Sequence, residues 1–153
     1  MSLPFPTAVD HDSQGRVLLV EDDPDAALFF AHVLARRGGF DVTPTADPAT
    51  ALDLVARGPW DLVVTDYDLP GMTGLALLAA IRVTDPALPV LLVTAREPLP
   101  VPTRMLSPDA LLAKPVHSAE LVATAAALIA RLPGGHQELL RHRMETGPRE
   151  IRS

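Results

Sequence analysis

The 153-residue chain is about one domain long, with 48% hydrophobic and 21% charged residues, enough apolar matter for a core and too few charges for wholesale disorder. Its net charge of −6 disfavours a nucleic-acid-binding surface, and the lack of cysteine excludes disulfides, Cys-based zinc sites and thiol catalysis. No stretch reaches the roughly 18 apolar residues of a membrane span, and the acidic start through Asp10 and Asp12 is not a signal peptide.

Residues 1–15 read as a disordered leader. Val17 to Val20 is a continuous apolar run, the mark of a strand buried on both faces, and it ends in Glu21-Asp22-Asp23. Asp23-Pro24 opens a helix, with Asp as cap and Pro in the first turn. Ala27, Leu28, Ala31, Leu34 and Ala35 follow at helical spacing, and Gly38-Gly39 stops it. Phe40 to Thr43 is a short strand. Asp47-Pro48 opens a second helix that ends at Gly58-Pro59; Trp60 beyond it reads as a partly buried loop aromatic. Leu62 to Thr65 is a third strand, ending at Asp66. After the loop Tyr67 to Thr73, a helix runs from Gly74 to Val83, closed by Asp85-Pro86. Val90 to Val93 is a fourth strand ending at Thr94, and Ala110 to Ala113 a fifth ending at Lys114. The last helix starts near Ser118 and carries a clean apolar face of Leu121, Val122, Ala125, Leu128, Ile129 and Leu132. Pro133-Gly134-Gly135 breaks the pattern, so 16–132 is one domain and 133–153 a tail or linker.

Strands alternating with helices imply an α/β fold: a doubly wound parallel sheet with helices on both faces. Ligands of such sheets bind outside the carboxyl ends of the strands. Glu21, Asp22, Asp66, Thr94 and Lys114 all fall there. Three carboxylates at one rim repel: at about 5 Å and an effective dielectric near 20, each pair costs roughly 3 kcal/mol. A hard divalent cation relieves that cost, and oxygen ligands suit Mg2+. Such a metal neutralises charge on a transferring phosphoryl group. A carboxylate such as Asp66 can be the nucleophile that forms an aspartyl phosphate. Lys114 supplies a point charge for phosphoryl oxygens, and Thr94 a hydroxyl donor. The five histidines, His11, His32, His117, His136 and His142, lack metal-ligand spacing and read as surface.

Four pieces in order, Val17 to Asp23, Asp61 to Gly74, Leu88 to Ala95 and Lys114-Pro115, resemble response-regulator receiver domains, the CheY-like acceptors of two-component signal transduction. The resemblance covers Arg16 to about Leu132. It implies five strands in the order 2-1-3-4-5. It implies that Asp66 is phosphorylated by a histidine kinase or phosphotransfer protein, so that partner binding switches without enzymatic turnover. Asp22 and Asp66 would ligate Mg2+, with Glu21 assisting through water and the backbone carbonyl of Asp68 as a further ligand. Thr94, the Ala95 backbone and Lys114 would contact the phosphoryl group, and the Lys114–Pro115 bond would be cis. The setting would be the cytoplasm, with an unknown output protein as partner, no membrane, and no direct nucleic-acid binding.

Two features depart from that family. Pro98, Pro100, Pro102 and Pro108 crowd the stretch where it places a helix, and each interior proline costs a helix about 3 kcal/mol. The fourth helix is therefore expected to be lost or cut to a turn near Thr103 to Leu106. Leu111 stands where the family usually has an aromatic that swings inward with the Thr94-type hydroxyl. Both lie on the face such domains often use for dimerisation and partners, so a different surface, or the proline-rich loop itself, is expected to carry the switch. Asp66-x-Asp68 also looks like the nucleophile motif of haloacid-dehalogenase-type phosphatases. Their motif opens the domain and continues to Thr or Val, whereas Leu69-Pro70 follows here and an acidic pair precedes. A degenerate receiver that only binds partners is the third reading.

Overall fold

The computed structural model of the protein describes residues 13–96 and 107–131. Seven strands and four helices are found among them: β1 (Arg16–Val20), α1 (Pro24–Arg36), β2 (Asp41–Thr45), α2 (Pro48–Arg57), β3 (Leu62–Asp66), β4 (Asp68–Leu69), β5 (Met72–Thr73), α3 (Gly74–Thr84), β6 (Val90–Thr94), β7 (Ala110–Ala113) and α4 (Ser118–Ala130). Five strands form one parallel sheet in the order β2-β1-β3-β6-β7, and β4 and β5 form a small antiparallel ribbon. Counting only the large sheet, the order is the expected 2-1-3-4-5. The expected loss of a fourth helix near Thr103 to Leu106 lies outside the described residues, as do Pro98, Pro100, Pro102, most of the leader and the tail.

The three central strands carry the apolar runs because both their faces are covered. Alternation then divides the core. Val17, Leu19, Leu62, Val64, Leu91 and Val93 pack with α1 and α4. Leu18, Val20, Val63 and Val90 pack with α2 and α3. Burying each such side chain contributes about 1.5–3 kcal/mol, so these strands hold the rim at their ends fixed.

Helix starts follow local chemistry. Asp23 Oδ2 accepts from the Ala26 N–H at 3.2 Å, Asp47 Oδ2 from the Thr50 N–H at 3.2 Å, and Thr73 Oγ1 from the Ala76 N–H at 3.1 Å. Gly39, at φ +74°, turns the chain after α1 where a side chain would be strained.

Two local expectations need correction. The second strand begins at Asp41, not Phe40. The Phe40 N–H is committed to Leu34 O, its ring is buried against α1, and pairing starts only at Arg16 with Asp41. Trp60 is not partly but fully buried, at 4% exposure. Its Nε1–H donates to Leu54 O at 2.7 Å and the Arg16 guanidinium stacks 4.3 Å from the ring centroid. A partner for its polar atom lets the indole go inside. No helix among the described residues is long and apolar enough to cross a membrane. His32 and His117 are exposed, as read.

Candidate functional site

The parallel sheet brings the ends of β1, β3, β6 and β7 to one rim. Backbone bonds fix their register beyond the strands: the Tyr67 N–H donates to Val93 O at 2.9 Å, and the Lys114 N–H to Thr94 O at 2.8 Å. On this rim Glu21, Asp22 and Asp66 each offer a carboxylate oxygen, and the three lie within 4.8 Å of one another. Glu21 and Asp66 are buried and Asp22 is exposed. Asp22 thus opens the cluster to solvent while the other two form its floor.

Lys114 is the local counter-charge. Its Nζ stands 3.3 Å from Glu21 Oε1 and 3.4 Å from Asp66 Oδ2. Burial alone would lower the pKa of this ammonium, but the charges of Asp66 and Glu21 outweigh it and hold the pKa above its usual value. Glu21 is raised above the usual carboxylate range, first by burial, then by the charge of Asp66. The Asp23 N–H on Glu21 Oε2, at 3.2 Å, and the Lys114 ammonium only partly offset this. One ammonium therefore leaves three carboxylates undercompensated. The donor set fits a hard, oxygen-seeking cation: carboxylates only, close together, one of them open to water.

Thr94 is fully buried at the end of β6, and its Oγ1 accepts from the Arg96 N–H at 3.0 Å. Ala95, the next residue, is exposed and carries only a methyl side chain. The Asp68 side chain points to solvent and pairs with Arg96: Nη2 lies 2.7 Å and Nε 3.2 Å from Oδ1. The same guanidinium lies 4.8 Å from the Tyr67 ring centroid. Sequence reasoning missed Arg96 altogether; an arginine two residues past a strand end gives no signal until its partner is known. The Lys114–Pro115 peptide bond is cis, as expected. Leu111 sits within β7, the edge strand, half-buried and paired in register with Leu92.

The short ribbon of β4 and β5, with Pro70-Gly71 at its turn, carries the chain from Asp66 to α3. Gly74 begins that helix against the end of β3: a Cβ there would meet Asp66 O at 2.5 Å. The Gly in this motif is thus a packing requirement directly behind Asp66.

Comparison with known proteins agrees with this geometry. The family model described as response regulator receiver domain matches residues 17–126. Transcriptional activator protein PfeR of Pseudomonas aeruginosa is 41% identical over 120 residues, which cover 76% of this chain but 38% of PfeR. Chemotaxis protein CheY of the same species is 37% identical over 82 residues, covering 52% of this chain and 66% of that protein. The matched stretch spans about a third to a half of the regulatory proteins it resembles: 34% of TcrX and 50% of PrrA from Mycobacterium tuberculosis, and 38% of YkoG from Bacillus subtilis. Among solved structures, a sensor protein from Polaromonas sp. JS666 superposes with a TM-score of 0.70 at 30% identity, covering 77% of this chain and 98% of that one. The receiver domain of sensor histidine kinase PA1611 from Pseudomonas aeruginosa, solved with a magnesium ion coordinated in the active site cleft, gives 0.68 at 28% identity, covering 76% and 98%. Nothing in these matches favours a phosphatase. The order of the strands, the acidic rim and the match along residues 17–126 converge: the chain belongs to the response regulator receiver domain family of two-component signalling.

Proposed function

We propose that Asp66 is the phospho-acceptor of this receiver and that residues 16–132 form its working unit. The observation that carries this is the cluster itself: three carboxylate oxygens within 4.8 Å, with the Lys114 ammonium against two of them. An oxygen of Asp66 attacks the phosphorus of a phosphohistidine; the P–N bond breaks, and its electron pair returns to the imidazole, which takes up a proton. The product is an acyl phosphate on Asp66 and a free histidine on the donor.

Glu21, Asp22, Asp66 and the Asp68 carbonyl would hold Mg2+, which supplies positive charge at the phosphoryl oxygens. The chain's own groups do the rest. Lys114 turns from Glu21 toward a phosphoryl oxygen, as a compact ammonium with three donors can. The Thr94 hydroxyl donates to another, while its oxygen stays on the Arg96 N–H. The Ala95 backbone N–H lies on the same turn. Each acceptor is used once per phosphoryl group, so the role is that of a switch rather than a turnover enzyme.

The phosphodonor is a histidine kinase or phosphotransfer protein, and the consequence is altered binding of an output partner. The chain's acidic balance of −6 supports a protein partner over nucleic acid. A cytoplasmic setting suits such a donor. Acetyl phosphate with Mg2+, followed by intact mass, tests the reading: the protein gains one phosphoryl group and Asp66→Asn gains none. A gain that persists in Asp66→Asn would move the acceptor elsewhere.

A further inference from the structure

Arg96 joins three parts of the rim. Its backbone N–H holds Thr94 Oγ1 at 3.0 Å, its guanidinium reaches Asp68 Oδ1 at 2.7 and 3.2 Å, and that guanidinium lies 4.8 Å from the centre of the Tyr67 ring. One residue thus touches the Thr94 hydroxyl and both residues that follow Asp66. The strands behind these contacts are neighbours, with Asp66 paired in register to Val93. Movement at Thr94 therefore reaches the loop after Asp66 through a single side chain.

We propose that Arg96 is the positioning residue that reports the state of Asp66, passing it from Thr94 to the half-buried Tyr67 and the exposed Asp68 in place of an inward-swinging aromatic at Leu111. This rests on the acceptor role of Asp66. On phosphorylation the Thr94 hydroxyl turns to the phosphoryl oxygen and draws the Arg96 N–H with it, which pulls the guanidinium away from Asp68 and Tyr67.

The contacts suit a switch because they are easily exchanged. The side chains of Arg96 and Asp68 are each 54% exposed, and an exposed pair is only marginally stable. The release of Arg96 would leave the Tyr67 ring face and the Asp68 carboxylate free on the surface. That is a change of both charge and shape that a partner can read.

Tyr67 is the single tyrosine of the chain, so its ring signals are unambiguous by NMR. The full chain is titrated with beryllium fluoride and Mg2+, in wild type and Arg96→Ala, while acetyl phosphate and intact mass follow Asp66 separately. The expected result is a change in the Tyr67 ring shifts of wild type that falls to less than about half in Arg96→Ala, with the mass gain retained in both. An equal ring change in the two proteins means that Tyr67 senses Asp66 directly, and overturns the reporter role alone. No ring change in wild type despite a mass gain overturns it likewise. No mass gain in wild type removes the acceptor reading, and the reporter with it. Loss of the mass gain in Arg96→Ala alone makes Arg96 part of the transfer site and also overturns the reporter role.

Discussion

Lys114 and Glu21 stand 93 residues apart in the chain and 3.3 Å apart in space, Nζ to Oε1, with Asp66 Oδ2 at 3.4 Å on the same ammonium. The side chain of Glu21 is 2% exposed and that of Lys114 24%. Replacing Lys114 by Met leaves two buried carboxylates without their cation. Breaking a buried pair from one side costs about 3–5 kcal/mol; with one partner a quarter exposed, solvent screens the loss to about 2 kcal/mol. Urea denaturation without metal should show that drop, and Mg2+ should stabilise the variant more than the wild type. An unchanged midpoint would mean that the ammonium carries no weight in the fold.

Asp22 is the exposed member of the same cluster, and no hydrogen bond or ion pair to its side chain is found among the described residues. Its charge faces Asp66 and Glu21 within 4.8 Å. Asp22→Ala should therefore raise stability in EDTA. Exposure reduces the repulsion to about 1 kcal/mol, or roughly 3–6 °C in melting temperature for a domain of this size. In saturating Mg2+ the order should reverse, because the variant has lost a ligand. A lower melting temperature for the variant in EDTA would count against mutual repulsion at the rim.

What the chain order reveals and what it hides follow from reach. Val17 to Val20, Leu62 to Val64 and Val90 to Val93 are legible as central strands because burial on both faces needs unbroken apolar runs. Their carboxyl ends are then legible as a rim, which placed Glu21, Asp22, Asp66, Thr94 and Lys114 together. β2 is harder: it is an edge strand, half-buried throughout, and even carries Pro44, which an edge tolerates. The two-residue strands β4 and β5 are too short for any period to appear. Trp60 and Arg96 are set by partners far along the chain, Arg16 in one case and Asp68 in the other. No local pattern encodes such a meeting.

The raised pKa of Glu21 gives a signed pH dependence. Its folded value lies above the ordinary 4.5, so between the two values the folded state binds more protons than the unfolded one. Stability from this group is complete below 4.5 and falls as pH rises through the folded value. Asp47, lowered by its bonds from Thr50, acts below 3.8, and Lys114, raised, loses its contribution only above 10.5, so neither overlaps this window. Urea midpoints from pH 4.5 upward in EDTA should decline in the wild type and less so in Glu21→Gln. Saturating Mg2+ should flatten the decline, since a bound cation displaces the proton. A wild-type slope that Glu21→Gln leaves intact would assign it to another group.

Gly74 offers a test in which packing and chemistry meet at one atom. An added Cβ would lie 2.5 Å from Asp66 O, 2.6 Å from Leu92 Cδ1 and 3.0 Å from Tyr67 Cα. Two of these are backbone atoms of β3 and the loop after it, so relief requires that Asp66 move. Gly74→Ala should cost about 1–3 kcal/mol, as overpacking does, and should slow the mass gain from acetyl phosphate. Thr73→Ala provides the comparison. It removes the Thr73 Oγ1 cap on the Ala76 N–H, a loss of about 1 kcal/mol, without touching Asp66. If both variants slowed phosphorylation in proportion to their lost stability, the contact behind Asp66 would have no specific part. If Gly74→Ala alone slowed it, with Thr73→Ala at the wild-type rate, the position of Asp66 would be set from behind by the one residue small enough to let α3 start there.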